Sequence, residues 1–175
     1  MSIVVRQARE NDRGRITRYF SAFYATDPDT VFRRPGSIPE AEVLNLIKQS
    51  TADSGMLFLI ALCEQDVVGT LTFSRYGKAE MSHGGEFGMS VHPMYRRQGI
   101  GSSLVARMGK WVAALGLKRI DLQVWSNNCE GIALYESAGF HREGLREGAI
   151  RRGNEEIDII LMSKTVSQQG ALRDV

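Results

Sequence analysis

Cysteine, histidine and long apolar runs are all scarce in this 175-residue chain, and each scarcity excludes a class of protein. The two cysteines, Cys63 and Cys129, form neither a metal-like spacing nor a disulfide framework. His83, His92 and His141 are scattered without ligand spacing, so no metal is expected. The longest apolar run, Met56 to Cys63, is too short to span a bilayer. The start, Met1-Ser2-Ile3-Val4-Val5-Arg6, lacks the layout of a secretion signal. These absences point to a cytoplasmic protein with no membrane partner. A net charge of +2 carries no nucleic-acid signature of its own. Neither a repeat, a low-complexity stretch nor a linker divides the chain.

What is present is an ordinary globular composition, 43% apolar and 24% charged, in a chain long enough for a real core. Ser2 to Ala8 reads as a strand, and Asn11 or Asp12 can cap a helix from about Arg13 to Tyr24. Residues 27–35 read as loop. Ser37-x-x-Glu40 is a capping box for a second helix carrying Val43, Leu44 and Ile47. Met56 to Cys63 and Val67 to Ser74 form a hairpin. Gly77 to Gly85 reads as a polar loop, followed by a strand from Glu86 to Val91. Arg119 to Trp125, Phe140 to Gly148 and Glu155 to Met162 read as further strands, the last two joined around Arg152-Gly153-Asn154.

The most informative stretch follows the strand that ends at Val91. Pro93 stops the sheet ladder, and Arg96, Arg97, Gly99 and Gly101 precede a helix with Ile100, Leu104, Val105, Met108, Val112 and Leu115 at helical spacing, closed by Gly116. Strand, basic glycine turn and helix together expose unpaired amides at a helix N-terminus, where the dipole favours an anion. The local chemistry is a phosphate cradle. A nucleotide loop of the form G-x-x-x-x-G-K-[ST] does not occur, and the dinucleotide fingerprint fails at Leu104, where a third glycine is needed.

Arg96-x-x-Gly99-x-Gly101 in this context resembles the pyrophosphate loop of the GNAT superfamily of acetyl-CoA-dependent N-acetyltransferases. A second motif, Asn128 to Phe140, is similar to the family pattern N-x-x-A-I-x-L-Y-x-x-x-G-F and departs from it only at Gly131. Taken singly, its residues would suit a capped helix with a core tyrosine; two motifs in family order carry the resemblance. The match covers roughly residues 56 to 163, and Glu143-Gly144, Arg146, Gly153, Asp158 and Met162 resemble a bacterial small-amine and amino-acid branch.

The resemblance implies an α/β fold with a mixed, mostly antiparallel sheet of about seven strands and about four helices. That sheet is splayed between the strand at 86–92 and the strand at 119–125. A single N-acetyltransferase domain over 1–165 and a tail over 166–175 are expected. The implied reaction is direct acetyl transfer from acetyl-CoA, with no metal, to a primary amine of an amino acid, a polyamine-like molecule or a peptide. Protein N-terminal or lysine acetylation, and a catalytically silent CoA-binding module, are the alternatives. Superfamily members are often dimers, so a homodimer is expected.

Family positions give each residue an expected role. Met89 N–H faces the thioester oxygen, and Val91 bonds the pantetheine arm. Arg96 supplies charge, while the amides of Arg97, Gly99, Gly101 and Ser102 take the pyrophosphate. Asn128 contacts the cofactor arm, and Tyr135 is the general acid to the thiolate. Glu86 is the candidate base, acting directly or through water, with His83 second. His92 is assigned to structure or cofactor. Cys129 has no partner that would make it a nucleophile.

Overall fold

A computed structural model of the chain describes residues 2–26 and 38–166. The loop expected over 27–35, Ser37 of the capping box and the tail beyond residue 166 lie outside the described residues. The strands are β1 (Ile3–Gln7), β2 (Met56–Cys63), β3 (Asp66–Arg75), β4 (Gly84–Val91), β5 (Arg119–Trp125), β6 (His141–Arg152) and β7 (Glu155–Thr165). The helices are α1 (Arg13–Thr26), α2 (Glu40–Ala52), α3 (Ile100–Ala114) and α4 (Cys129–Ser137). One mixed, mostly antiparallel sheet has the order β1-β2-β3-β4-β5-β7-β6, as the family resemblance implied. The chain divides into two compact units, Met1–Ser74 with Met89–Met108, and Arg75–Gly88 with Gly109–Val175.

In the first unit, Ile16, Tyr19 and Phe23 of α1 and Val43 and Ile47 of α2 pack on Phe58, Ile60 and Leu62 of β2. Leu57 and Leu59 are buried as well, so β2 is covered on both faces, which is why it reads as an unbroken apolar run. Burying each such side chain stabilises the fold by about 1.5–3 kcal/mol. Asp12 does not cap the turn ahead of it. Its carboxylate turns back to accept from Arg9 N–H at 2.8 Å and from both Arg6 nitrogens at 2.7 and 2.8 Å.

The hairpin of β2 and β3 contains a register shift. Ala61 pairs with Gly69 but Leu62 with Val67, so Val68 has no opposite residue. The Val68 carbonyl instead accepts from His92 N–H at 2.9 Å, tying the residue after β4 to β3. Gly69 completes the fit: a Cβ there would lie 3.2 Å from the Ser90 carbonyl and 3.3 Å from Ile100.

In the second unit, β4 pairs in parallel with β5 only over Gly84–Glu86 against Arg119–Asp121. The strand therefore begins at Gly84, two residues earlier than the pattern suggested. A glycine is needed because a Cβ at Gly84 would meet the Arg119 Cβ at 3.0 Å. Similarly, β6 does not end at Gly148. That residue adopts φ +56° within a register irregularity and donates its N–H to Asp158 Oδ1 at 2.8 Å, so the strand continues to Arg152.

Helix α3 ends in a left-handed cap, with Gly116 at φ +71°. Leu117 N–H bonds the Val112 carbonyl and Gly116 N–H bonds that of Ala113, the Schellman pattern. Leu115, expected on the apolar face, is 41% exposed, and Leu117 beyond the cap is buried in its place.

Candidate functional site

The cradle begins where β4 stops. Pro93–Tyr95 form a short 3-10 turn, and His92 Nδ1 accepts from Met94 N–H at 3.3 Å. The His92 ring also packs edge-on to Tyr95, so this histidine serves structure. Two residues then take the left-handed conformation, Arg97 at φ +60° and Gly99 at φ +78°. For arginine this is strained backbone. The bond from Ser103 N–H to the Gly99 carbonyl, 3.0 Å, opens α3. The amides of Ile100, Gly101 and Ser102 precede it and have no acceptor within the helix. Gly99 and Ser102 are exposed and Gly101 half-buried. These are the atoms an anion needs.

Met89 and Val91 are both half-buried on β4. Arg96 Nε donates to the Val91 carbonyl at 3.1 Å. Ser90, between them, was not singled out by sequence. Its hydroxyl accepts from Tyr19 at 2.9 Å and bonds Thr70 at 3.0 Å, anchoring this end of β4 to α1 and β3. Partners 71 and 20 residues away leave no local pattern to read.

Glu86, the candidate base, is half-buried, and its Oε1 accepts from Gln123 Nε2 at 3.0 Å. Gln123 Oε1 in turn accepts from Arg146 at 3.4 Å. A second network lies beside it. Asp121 accepts from Tyr76 at 3.0 Å and from Arg119, and Arg119 forks onto Glu143. The Arg119 guanidinium, helped by the Ser163 hydroxyl, draws Glu143 down to about 2. Burial and the bond to Asp121 push the Tyr76 phenol upward. His83 is exposed and joins neither network through its side chain; its carbonyl accepts from Lys118 N–H.

Tyr135 lies on α4 with its ring against Phe87 and Phe140, 5.7 and 6.0 Å between centroids. Burial alone pushes its phenol up to about 12. The ring is enclosed, yet the hydroxyl is not sealed: among the described residues Thr17 Oγ1 is the buried side-chain polar atom without a partner. Such a phenol is a proton donor held in its neutral form. Phe87 and Glu86 are adjacent on β4, so Tyr135 and Glu86 lie on opposite sides of that strand. Asn128 caps α4, accepting from Gly131 N–H at 2.9 Å. A Cβ at residue 131 would come within 2.8 Å of the Asn128 amide as it stands, so an alanine there would require that side chain to shift. Cys129 is exposed and Cys63 buried. Among the described residues no His, Cys, Asp and Glu group converges to hold a metal, and no helix is long and apolar enough to cross a membrane.

Comparison with known proteins agrees with this geometry. The model of the Acetyltransferase (GNAT) family matches residues 18–140. An L-amino acid N-acetyltransferase, AaaT of Escherichia coli, is 31% identical over 114 residues, which cover 63% of this chain and 68% of that protein. A GNAT family acetyltransferase from Streptococcus pneumoniae shares the fold with a TM-score of 0.88 at 20% identity, over 95% of this chain and all of that one. So does a phosphinothricin acetyltransferase from Sinorhizobium meliloti, solved with acetyl-CoA, with a TM-score of 0.82 at 22% identity over 100% of this chain and 94% of that one. The chain belongs to the GNAT family of acetyltransferases and is an acyltransferase.

Proposed function

We propose that this chain moves the acetyl group of acetyl-CoA directly to the primary amine of a small molecule, an amino acid in the first instance. The observation that carries the reading is the backbone of the cradle. Left-handed Arg97 and Gly99 lead into helix amides that have no acceptor of their own. The backbone amides of Arg97, Gly99, Gly101 and Ser102 hold the pyrophosphate of acetyl-CoA, with Arg96 and Arg97 adding charge. The Met89 N–H polarises the thioester oxygen, the Val91 N–H holds the arm, and Asn128 contacts it.

Glu86 accepts a proton from the ammonium of the acceptor, directly or through water. The free amine attacks the thioester carbonyl, and the tetrahedral oxyanion is stabilised by the Met89 N–H. The C–S bond then breaks, the departing thiolate takes its proton from the Tyr135 hydroxyl, and the new amide nitrogen releases its second proton to solvent, from which the phenolate is reprotonated. With its phenol raised to about 12, Tyr135 remains protonated through the neutral range. An E. coli relative named an L-amino acid N-acetyltransferase supports amino acids as acceptors.

The test is release of free CoA thiol from acetyl-CoA, with acetylated products identified by mass. A panel of amino acids, polyamines and peptides supplies the acceptors. Transfer to an amine supports the reading. Acetyl-CoA binding without transfer to any panel member would reduce the chain to a CoA-binding module.

A further inference from the structure

Glu86, Gln123 and Arg146 form a line of charge that the catalytic roles above do not use in full. Gln123 Nε2 donates to Glu86 Oε1 at 3.0 Å, and Gln123 Oε1 accepts from Arg146 Nη1 at 3.4 Å. The orientation of the amide follows from its neighbours: a carboxylate only accepts and a guanidinium only donates. Gln123 therefore joins an anion at one end to a cation at the other.

Sheet register explains how Arg146 reaches so far. Gln123 pairs with Leu161 on β7, and Leu161 with Gly144 on β6. Gly144 has no side chain to stand in the way, so Arg146, two pairs further along opposite Ile159 and on the same face, can lean back over β7. Neighbouring arginines are committed differently. Arg119 holds Glu143 and Asp121, Arg142 holds Glu136, and Arg151 holds Glu156. Among the described residues Arg146 has no carboxylate. It is exposed, and its one bond, to Gln123, is long. Most of its five donors are unspent.

Resting on the reading of Glu86 as the base, we infer that Arg146 receives the carboxylate of an α-amino acid acceptor whose amine is presented to Glu86. Gln123 is the positioning residue between them. A zwitterionic α-amino acid carries its ammonium and carboxylate on one carbon. With each group within about 3 Å of its partner, it spans a separation on the order of that bridged by the Gln123 amide. A polyamine would meet repulsion at Arg146, and a neutral amine would gain nothing there. A bidentate guanidinium–carboxylate contact also fixes orientation, which aims the amine.

The experiment pairs each of a set of L-amino acids with its α-carboxamide, adds polyamines and a short peptide, and measures kcat and KM in wild type and variants. Wild type is expected to favour acids over amides by about 10-fold or more in kcat/KM, as loss of a charged hydrogen-bonded pair implies. In Arg146→Ala that ratio falls to about 1, through KM for the acids, whereas Arg146→Lys keeps part of it. Gln123→Ala instead lowers kcat for acid and amide alike, because it releases Glu86 and leaves the carboxylate receptor in place. A wild-type ratio near 1, or an Arg146→Ala ratio equal to that of wild type, overturns the inference. Transfer to polyamines or the peptide but to no amino acid overturns it and leaves acetyl transfer standing. Acetyl-CoA binding with transfer to nothing overturns both.

Discussion

The rings of Phe87 and Tyr135 meet edge to face, 5.7 Å between centroids with an interplanar angle of 81°. The contact holds the tyrosine by its ring. Tyr135→Phe should therefore keep stability within about 0.5 kcal/mol, since the packing is retained. Its kcat should fall by about 10²-fold with acetyl-CoA affinity unchanged, the signature of a lost general acid. Calorimetry with single-turnover kinetics checks this. An unchanged chemical rate would make Tyr135 a core residue only.

Glu86 calls for a pH profile. Glu86→Gln keeps a group able to face Gln123 but cannot accept a proton. The variant should be slowest at low pH, where most acceptor amine is protonated, and should recover part of the wild-type rate as pH rises. A profile parallel to that of wild type would remove Glu86 from the chemistry and leave it a binding carboxylate.

Two carboxylates, Asp12 in the first unit and Glu143 in the second, predict an acid-sensitive fold. Hydrogen bonds from Arg6, with Arg9 N–H, hold Asp12 below the usual carboxylate range, and Arg119 holds Glu143 at about 2. Both pKa values are depressed on folding, so their stabilisation is complete above the ordinary carboxylate range. It is lost as pH falls through it toward the folded values. Arg6→Leu leaves the buried Asp12 carboxylate without its cation and should cost about 3 kcal/mol or more at neutral pH. Urea titrations across pH, wild type against variant, measure both effects. Stability of the variant equal to wild type at neutral pH would contradict the assignment.

Much of the fold was legible because local pattern and tertiary role coincide. Met56–Cys63 and Arg119–Trp125 are strands with the bounds their apolar content suggested, and Gly116 ends α3 where a left-handed cap is required. Glycines were misread where they serve close approach instead of a turn. Gly84 admits Arg119, and Gly148 carries β6 through an irregularity. The backbone half of the candidate site was legible because a cradle is a local arrangement, Arg96 to Ser102. The side-chain half was not. Tyr19 with Ser90, Gln123 with Glu86 and Arg146 with Gln123 depend on strand register, which no single stretch of sequence discloses.

The cradle is the claim on which the rest depends, and Gly101→Asp tests it most directly. Gly101 is the second residue of α3, where an aspartate suits both the helix and its dipole, so the fold should be kept or slightly stabilised. The same side chain sets a Cβ and a negative charge where the pyrophosphate is proposed to lie. Titration calorimetry of wild type and Gly101→Asp with acetyl-CoA, beside circular dichroism and thermal melts, separates the two effects. The expected result is an intact fold with Tm unchanged or raised, and acetyl-CoA affinity weakened by about 100-fold or more, on the order expected for an unpaired charge set against an anion. Equal acetyl-CoA affinity in a folded Gly101→Asp protein would contradict it.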